Sequence, residues 1–284
     1  MGLSIVECGN LAEYLSRAAA EEATNDYLYL NKFNNSMIFS DNGTKALLSD
    51  PVTAPYQTIY IKAAASGTGT GESAENACTL ATALMITPKN AHVAWNFVGT
   101  GFSASGFDIK GYGDLALTFD SSFDGKIASI VDSKVVINSD VTIDSIVDST
   151  VAGTGTAELT IGAIDRSNVS AYDIEKASTT LAISNNSSVI ASNSSALAIS
   201  ADKNSHVVIG DLVTDTTNST ALTASLGSTI TYILDANGDA SKVSKTETLL
   251  GKVITVTQED TSSVVEYIAS ALTEEEPEEE PEEP

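Results

Sequence analysis

Three aspartates sit in a repeated phrase. They are Asp132 in Ile130-Val131-Asp132-Ser133, Asp148 in Ile146-Val147-Asp148-Ser149, and Asp165 in Ile164-Asp165-Arg166-Ser167. Carboxylates stacked one repeat apart can hold calcium, which prefers a cage of several oxygen ligands. Two acids flanking a glycosidic bond can also hydrolyse it, one as acid and one as base or nucleophile. Against both readings, Arg166 is the only arginine after Arg17, and no second acid cluster faces it recognisably. The leading expectation for Asp132, Asp148 and Asp165 is therefore a row of turn residues, with calcium and catalysis as alternatives.

Other residues offer less. Gly67-Thr68-Gly69-Thr70-Gly71 lacks the dinucleotide fingerprint spacing, and no Gly-Lys-Ser/Thr follows it, so it reads as a surface loop. Asp235-Ala236-Asn237-Gly238-Asp239 starts like a calcium loop, but its glycine comes too early and the closing glutamate is missing. His92 and His206 are the only histidines; neither a nucleophile–base dyad nor a His/Cys metal set can be read from them. Trp95 near Phe97 is a sugar-stacking platform or a packing centre. Cys8 and Cys78 stand far apart, and their spacing leaves pairing open. The sequence thus nominates no catalytic residue and no cofactor.

The elements that position these residues are repetitive. The Ser-x-Val phrase of Ser133-Lys134-Val135 returns at Val151 and Val169, with looser echoes at Ser187-Ser188-Val189 and Ser205-His206-Val207. Between them runs a second triplet: Val141-Thr142-Ile143, Leu159-Thr160-Ile161, Leu181-Ala182-Ile183 and Leu197-Ala198-Ile199. Two β-type triplets alternating every 16 to 22 residues mark a β-solenoid. The repeat places Val135, Ile137, Val151, Val169, Val189 and Val207 in the interior.

Ahead of the repeats come a strand at Thr58–Ala63, a glycine-rich turn, a short helix from Thr79 to Leu84, and strands at Val93–Val98 and Leu115–Phe119. This order, with the repeats, resembles right-handed parallel β-helix proteins such as phage tailspikes and fibres, adhesins and pectate-lyase-like enzymes. The resemblance spans roughly residues 57–242 and lies in architecture. It implies stacked coils with polar ladders at the turns, Ser133, Ser149, Ser167, Ser188 and Ser205 forming one and Asp132, Asp148 and Asp165 another. It also implies a homotrimer.

The expected class is all-β: a right-handed parallel β-helix over 57–242, with a helical capping or attachment segment at 1–56. A C-terminal strand and helix follow at 243–273, then a disordered acidic tail at 274–284. The N-terminal helix rests on Asn10 and Glu13 as a capping box, with Leu11, Tyr14, Leu15 and Ala18 on one face. The C-terminal helix rests on Val264, Val265, Ile268 and Leu272.

With 38 acidic residues against 14 basic, the net charge is −24. Such a surface repels nucleic acid, whose binding needs clustered Lys and Arg. No apolar run is long enough for a membrane span, and the N-terminus lacks a secretory pattern. The functional expectation is a non-enzymatic structural or binding protein: a phage fibre, spike or decoration protein in the virion. Its expected partners are copies of itself, other virion proteins, or a surface glycan or receptor. A polysaccharide lyase or hydrolase and a bacterial surface adhesin are the alternatives.

Overall fold

The computed structural model describes residues 4–8, 27–31, 36–41, 44–49, 57–63, 71, 73–87, 89, 92–176, 180–194, 198–212, 219–234 and 239–256. For 4–49 it gives the course of the strands. Two compact units divide the chain, residues 1–151 and 152–284. The described residues are all-β with very little helix, and the strands pair as in a parallel β-solenoid.

The first unit begins with a four-stranded sheet: β1 (Ser4–Cys8), β2 (Tyr27–Asn31), β3 (Ser36–Asp41) and β4 (Thr44–Ser49). β1 and β2 are parallel, and β2, β3 and β4 are antiparallel. The expectation of a helical segment over 1–56 is not borne out, and its helix from Leu11 to Ala18 lies outside the described residues. The reason for the strands is visible in Tyr27-Leu28-Tyr29-Leu30, where aromatic and aliphatic residues favour a pleated surface. The residues between β3 and β4 are Asn42-Gly43, the strongest short hairpin signal.

The coils of this unit follow. One row holds β5 (Gln57–Lys62), β7 (Val93–Phe97), β9 (Leu115–Phe119) and β11 (Lys134–Ile137), all parallel. A second holds β8 (Phe107–Lys110), β10 (Ile127–Val131) and β12 (Val141–Val147). Between β5 and β7 lie β6 (Cys78–Thr79) and the helix α1 (Leu80–Ile86). Thr79 caps α1, its Oγ1 accepting from the Thr82 N–H at 3.3 Å. Strand β13 (Thr150–Gly153) comes where the units divide.

In the second unit one row is β14 (Glu158–Asp165), β16 (Leu181–Ser184), β18 (Ala198–Ala201), β20 (Thr220–Ala224) and β22 (Val243–Glu247). The other is β15 (Asn168–Lys176), β17 (Ser188–Ser194), β19 (His206–Leu212), β21 (Thr229–Leu234) and β23 (Lys252–Thr255). Like side chains stack on like: Val169 on Val189, then Val207, Ile230 and Val253. All six interior positions expected from the repeat are buried, none more than 3% exposed.

The corners explain the repeat. Each has a left-handed residue followed by a buried serine. Asp132, Asp148 and Arg166 hold φ near +48° (49°, 49° and 47°) before Ser133, Ser149 and Ser167. Each serine donates to the carbonyl two residues back, at 2.8, 2.7 and 2.7 Å. Later corners use two left-handed residues, Asn185-Asn186 and Lys203-Asn204, and Ser187 and Ser205 then reach three residues back. The Oγ atoms of Ser133, Ser149, Ser187 and Ser205 also accept an N–H from a neighbouring coil. The Ser133 N–H reaches Ser149 at 3.1 Å, and the Ser167 N–H reaches Ser187 at 3.2 Å. The ladder member is thus Ser187, not Ser188. Ser188 lies on the strand in register with Asn168 and His206, because Ser-x-Val spacing sets the corner two residues before the interior valine.

The last described coil departs from the apolar pattern. Lys245 stands in register with Leu222, Glu247 with Ala224, and Thr255 with Tyr232. The Lys245 ammonium donates to Thr255 Oγ1 at 2.5 Å, and Glu247 accepts the Val253 N–H at 2.7 Å. Lys245 and Glu247 are exposed, and charged side chains on an edge strand disfavour the addition of another strand. Gly251 fits here because a Cβ would lie 2.1 Å from the Ala224 carbonyl oxygen. The helix expected over 262–272 and the acidic tail lie outside the described residues.

Two substitutions test this register. Val189→Asp buries an unpaired charge and should cost on the order of 4 kcal/mol, lowering the melting temperature by roughly 10 °C. Ser187→Ala strands the buried Ser167 N–H and should cost about 1–3 kcal/mol, whereas Ser188→Ala should be near neutral. Equal effects of the two serine variants in a thermal melt would show the corner to be misplaced.

Candidate functional site

The three aspartates do not form one row. Asp132 and Asp148 share the left-handed corner position, which a short polar side chain tolerates. In the third phrase that position is Arg166, and Asp165 ends strand β14 one residue earlier. The Asp165 carboxylate meets Arg166 Nη1 at 2.5 Å, accepts from Ser184 Oγ at 3.0 Å and accepts from Asn185 Nδ2. Its oxygens are occupied by Arg166 of its own corner and by Ser184 and Asn185 of the next coil. Among the described residues, no group of three or more His, Cys, Asp or Glu is placed to hold a metal ion.

A different cluster emerges at the corner before β9. The register of β7 with β9 sets Val93 beside Leu115, so the preceding residues His92 and Asp114 are also neighbours. His92 Nδ1 pairs with an Asp114 carboxylate oxygen, and the imidazole is about half exposed. Nearby, the Lys89 ammonium lies 3.4 Å from the centre of the Tyr112 ring and donates to the Lys110 carbonyl at 2.6 Å. Burial against the ring pushes the Lys89 pKa down to about 8. The ring face and the carbonyl act the other way, since both favour the ammonium. Tyr112 is buried, which raises its pKa, and its hydroxyl has no hydrogen-bond partner. An imidazole anchored at Nδ1 by a carboxylate can transfer protons; it equally ties the segment before β7 to the next coil. The sequence signal for this pair was the coil length, since both residues precede paired strands.

The remaining candidates take structural places. Trp95 is fully buried, its Nε1 donating to Thr87 Oγ1 at 2.8 Å, and its ring is edge-on to Tyr112 and Phe97. It is a packing centre, not a platform. Phe97 stacks on Phe107 and Phe119 at 5.0 and 4.9 Å. His206 Nδ1 meets Thr229 Oγ1 at 2.6 Å on the next coil. Gly71, the described end of the glycine-rich run, has φ +83° and accepts the Tyr60 N–H at 2.9 Å. Cys78 is a free, buried thiol whose pKa is pushed up to about 11 by that burial. Asp239 caps a short helical turn at Ala240–Lys242. An apolar void of about 10 Å³ between Ile174, Leu181 and Ile199 is at the lower limit for one water.

Two carboxylates that the sequence did not single out organise the loop between β7 and β8. Asp120 accepts from the Ser122 hydroxyl at 2.6 Å and from the Gly99 N–H at 2.7 Å. Asp124 accepts from the Gly101 and Phe102 N–H groups, each at 2.9 Å. These donors favour the ionised form and lower both pKa values.

In comparisons with known proteins, no family model, no curated protein and no solved structure matches the chain.

The lowered pKa values set a pH dependence. A carboxylate titrating below its unfolded value of about 4 stabilises the fold above that pH, and the effect drains away as pH falls through the folded value. Asp124→Asn should therefore lower the melting temperature at neutral pH and flatten its decline on acidification. A variant whose melting temperature falls with acid as steeply as that of the parent would show that Asp124 does not hold the loop.

Proposed function

We propose that the chain is a non-enzymatic structural or binding protein, a fibre, spike or decoration protein exposed on a virus particle of the phage kind. The observation that supports this reading is how the polar residues are used. The corner serines, Asp120, Asp124 and Asp165 are committed to hydrogen bonds that hold turns and coils. A regular stack of this kind offers long lateral surfaces to partners. The partners that suit it are copies of the chain, as a trimer by the resemblance, other virion proteins, and a surface glycan or receptor. The charge of −24 sets the chain against nucleic acid. Among the described residues no helix is long and apolar enough to cross a membrane.

One observation favours a second reading. The His92–Asp114 pair beside Lys89 is an acid–base group at a corner where the imidazole is half exposed, the kind of group that abstracts a proton in a polysaccharide lyase. Incubation of the purified chain with acidic and neutral polysaccharides separates the two. The structural reading expects binding to a glycan array without new reducing ends or unsaturated sugars. Turnover that disappears in His92→Ala would overturn it.

A further inference from the structure

The last described coil of the second unit changes the charge at the end of the stack. The row that ends in Lys245 is otherwise Leu181, Ile199 and Leu222. The row that ends in Lys252 is otherwise Asn168, Ser188, His206 and Thr229. In this unit lysine enters both rows only at the last described coil, and both residues are exposed. Lys242, half-buried, sits in the turn that opens the same coil. Three of the six basic residues in 152–284 thus lie between 242 and 252.

The carboxylates of this coil are turned to its backbone. Glu247 accepts the Val253 N–H at 2.7 Å, and Asp239 accepts the Ser241 N–H at 2.9 Å beside Lys242. The Lys245 ammonium lies 5.2 Å from the centre of the Tyr232 ring. It donates to Thr255 Oγ1, which donates to the Tyr232 hydroxyl at 3.0 Å. Among the described residues, neither Lys245 nor Lys252 forms an ion pair. In a chain of −24, these two ammoniums mark a place where an acidic segment is attracted rather than repelled.

We infer that the acidic run at 274–283 of the same chain docks over this end, its carboxylates on Lys245 and Lys252. The inference is independent of the reading above. Charge is the first argument for this occupant: the run carries eight glutamates and no cation. Reach is the second. Seventeen residues join Val256, just past β23, to Glu274. A tether of that length has a root-mean-square span on the order of 20–25 Å. The strands to be covered have five and four residues and are about 13–17 Å long. Competition is the third. The tether sets an effective concentration on the order of millimolar, whereas a second copy arrives with its whole charge of −24 and is repelled. Each exposed ion pair is weak, so the contact needs several and dissolves when salt screens them. The run is thus a removable cover. An outside polyanion must displace it, and a cationic partner that takes the run uncovers the lysines.

Carbodiimide coupling, which joins carboxylates to amines in contact with them, tests this on the full chain mixed with an equal amount of isotope-labelled chain. At low salt, amide links are expected from the run at 274–283 to Lys245 or Lys252, within one isotopic form. They should fall at least ~5-fold at about 1 M salt, where the Debye length is about 3 Å. Acetylation rates give a second readout. A full-length variant with Glu274→Gln and the same change at the other seven glutamates should react at Lys245 and Lys252 at least ~3-fold faster than the parent at low salt, with Lys203 unchanged, because a nearby carboxylate favours the unreactive ammonium. Links only between isotopic forms, links to Lys110 or Lys134 instead, or no links at all overturn the inference. Equal acetylation rates in parent and variant overturn it as well.

Discussion

Everything regular in this chain depends on one hydrogen-bonded corner. A β-strand must reverse direction once per side of each coil, and a buried corner strands backbone N–H groups that water cannot reach. The left-handed residue turns the chain, and the serine after it satisfies two groups at once. Its hydroxyl donates to its own chain, as from Ser133 to Val131, and accepts from a neighbouring coil, as from the Tyr112 N–H at 3.1 Å. Each corner therefore fixes both its own shape and the register of the coil against it. Once register is fixed, valine falls on valine along the repeats, from Val169 to Val189 and Val207.

That mechanism explains what was legible in the sequence. Ser-x-Val recurs because the corner serine and the interior valine are set two residues apart by strand geometry, and so the buried valines could be read directly. The position of Asp165 could not. Ranking it with Asp132 and Asp148 follows the letter Asp, whereas the corner demands a left-handed residue before the serine, and in that phrase Arg166 supplies it. The same rule separates Ser187 from Ser188. Corners with two left-handed residues insert one position, and the serine then bonds three residues back.

Contacts between coils were less legible, because no local pattern announces them. His92 and Asp114 become a pair only when β7 and β9 are aligned, and the helix and loops between β5 and β7 make that first coil longer than the repeat. Asp120 and Asp124 look like ordinary loop acids until their N–H donors at Gly99 and Gly101 are seen one coil away. At the N-terminus the capping box near Asn10 drew the reading towards helix, while the alternation at 27–30 and the Asn42-Gly43 hairpin signal were the better guides to the strands that follow.

The second unit shows which features of a coil persist and which change along the stack. Its last described coil sets exposed Lys245 and Glu247 in register with buried Leu222 and Ala224. A few residues later, Leu249 and Leu250 hold the left-handed conformation and are 70% and 88% exposed. The leucines take the places that Leu226 and Gly227 hold at the preceding corner, so the left-handed turn is kept while the strand before it gives up its apolar positions. What the solenoid holds constant is the backbone of its corners, and the side chains there vary from Asp and Asn to Arg, Lys and Leu.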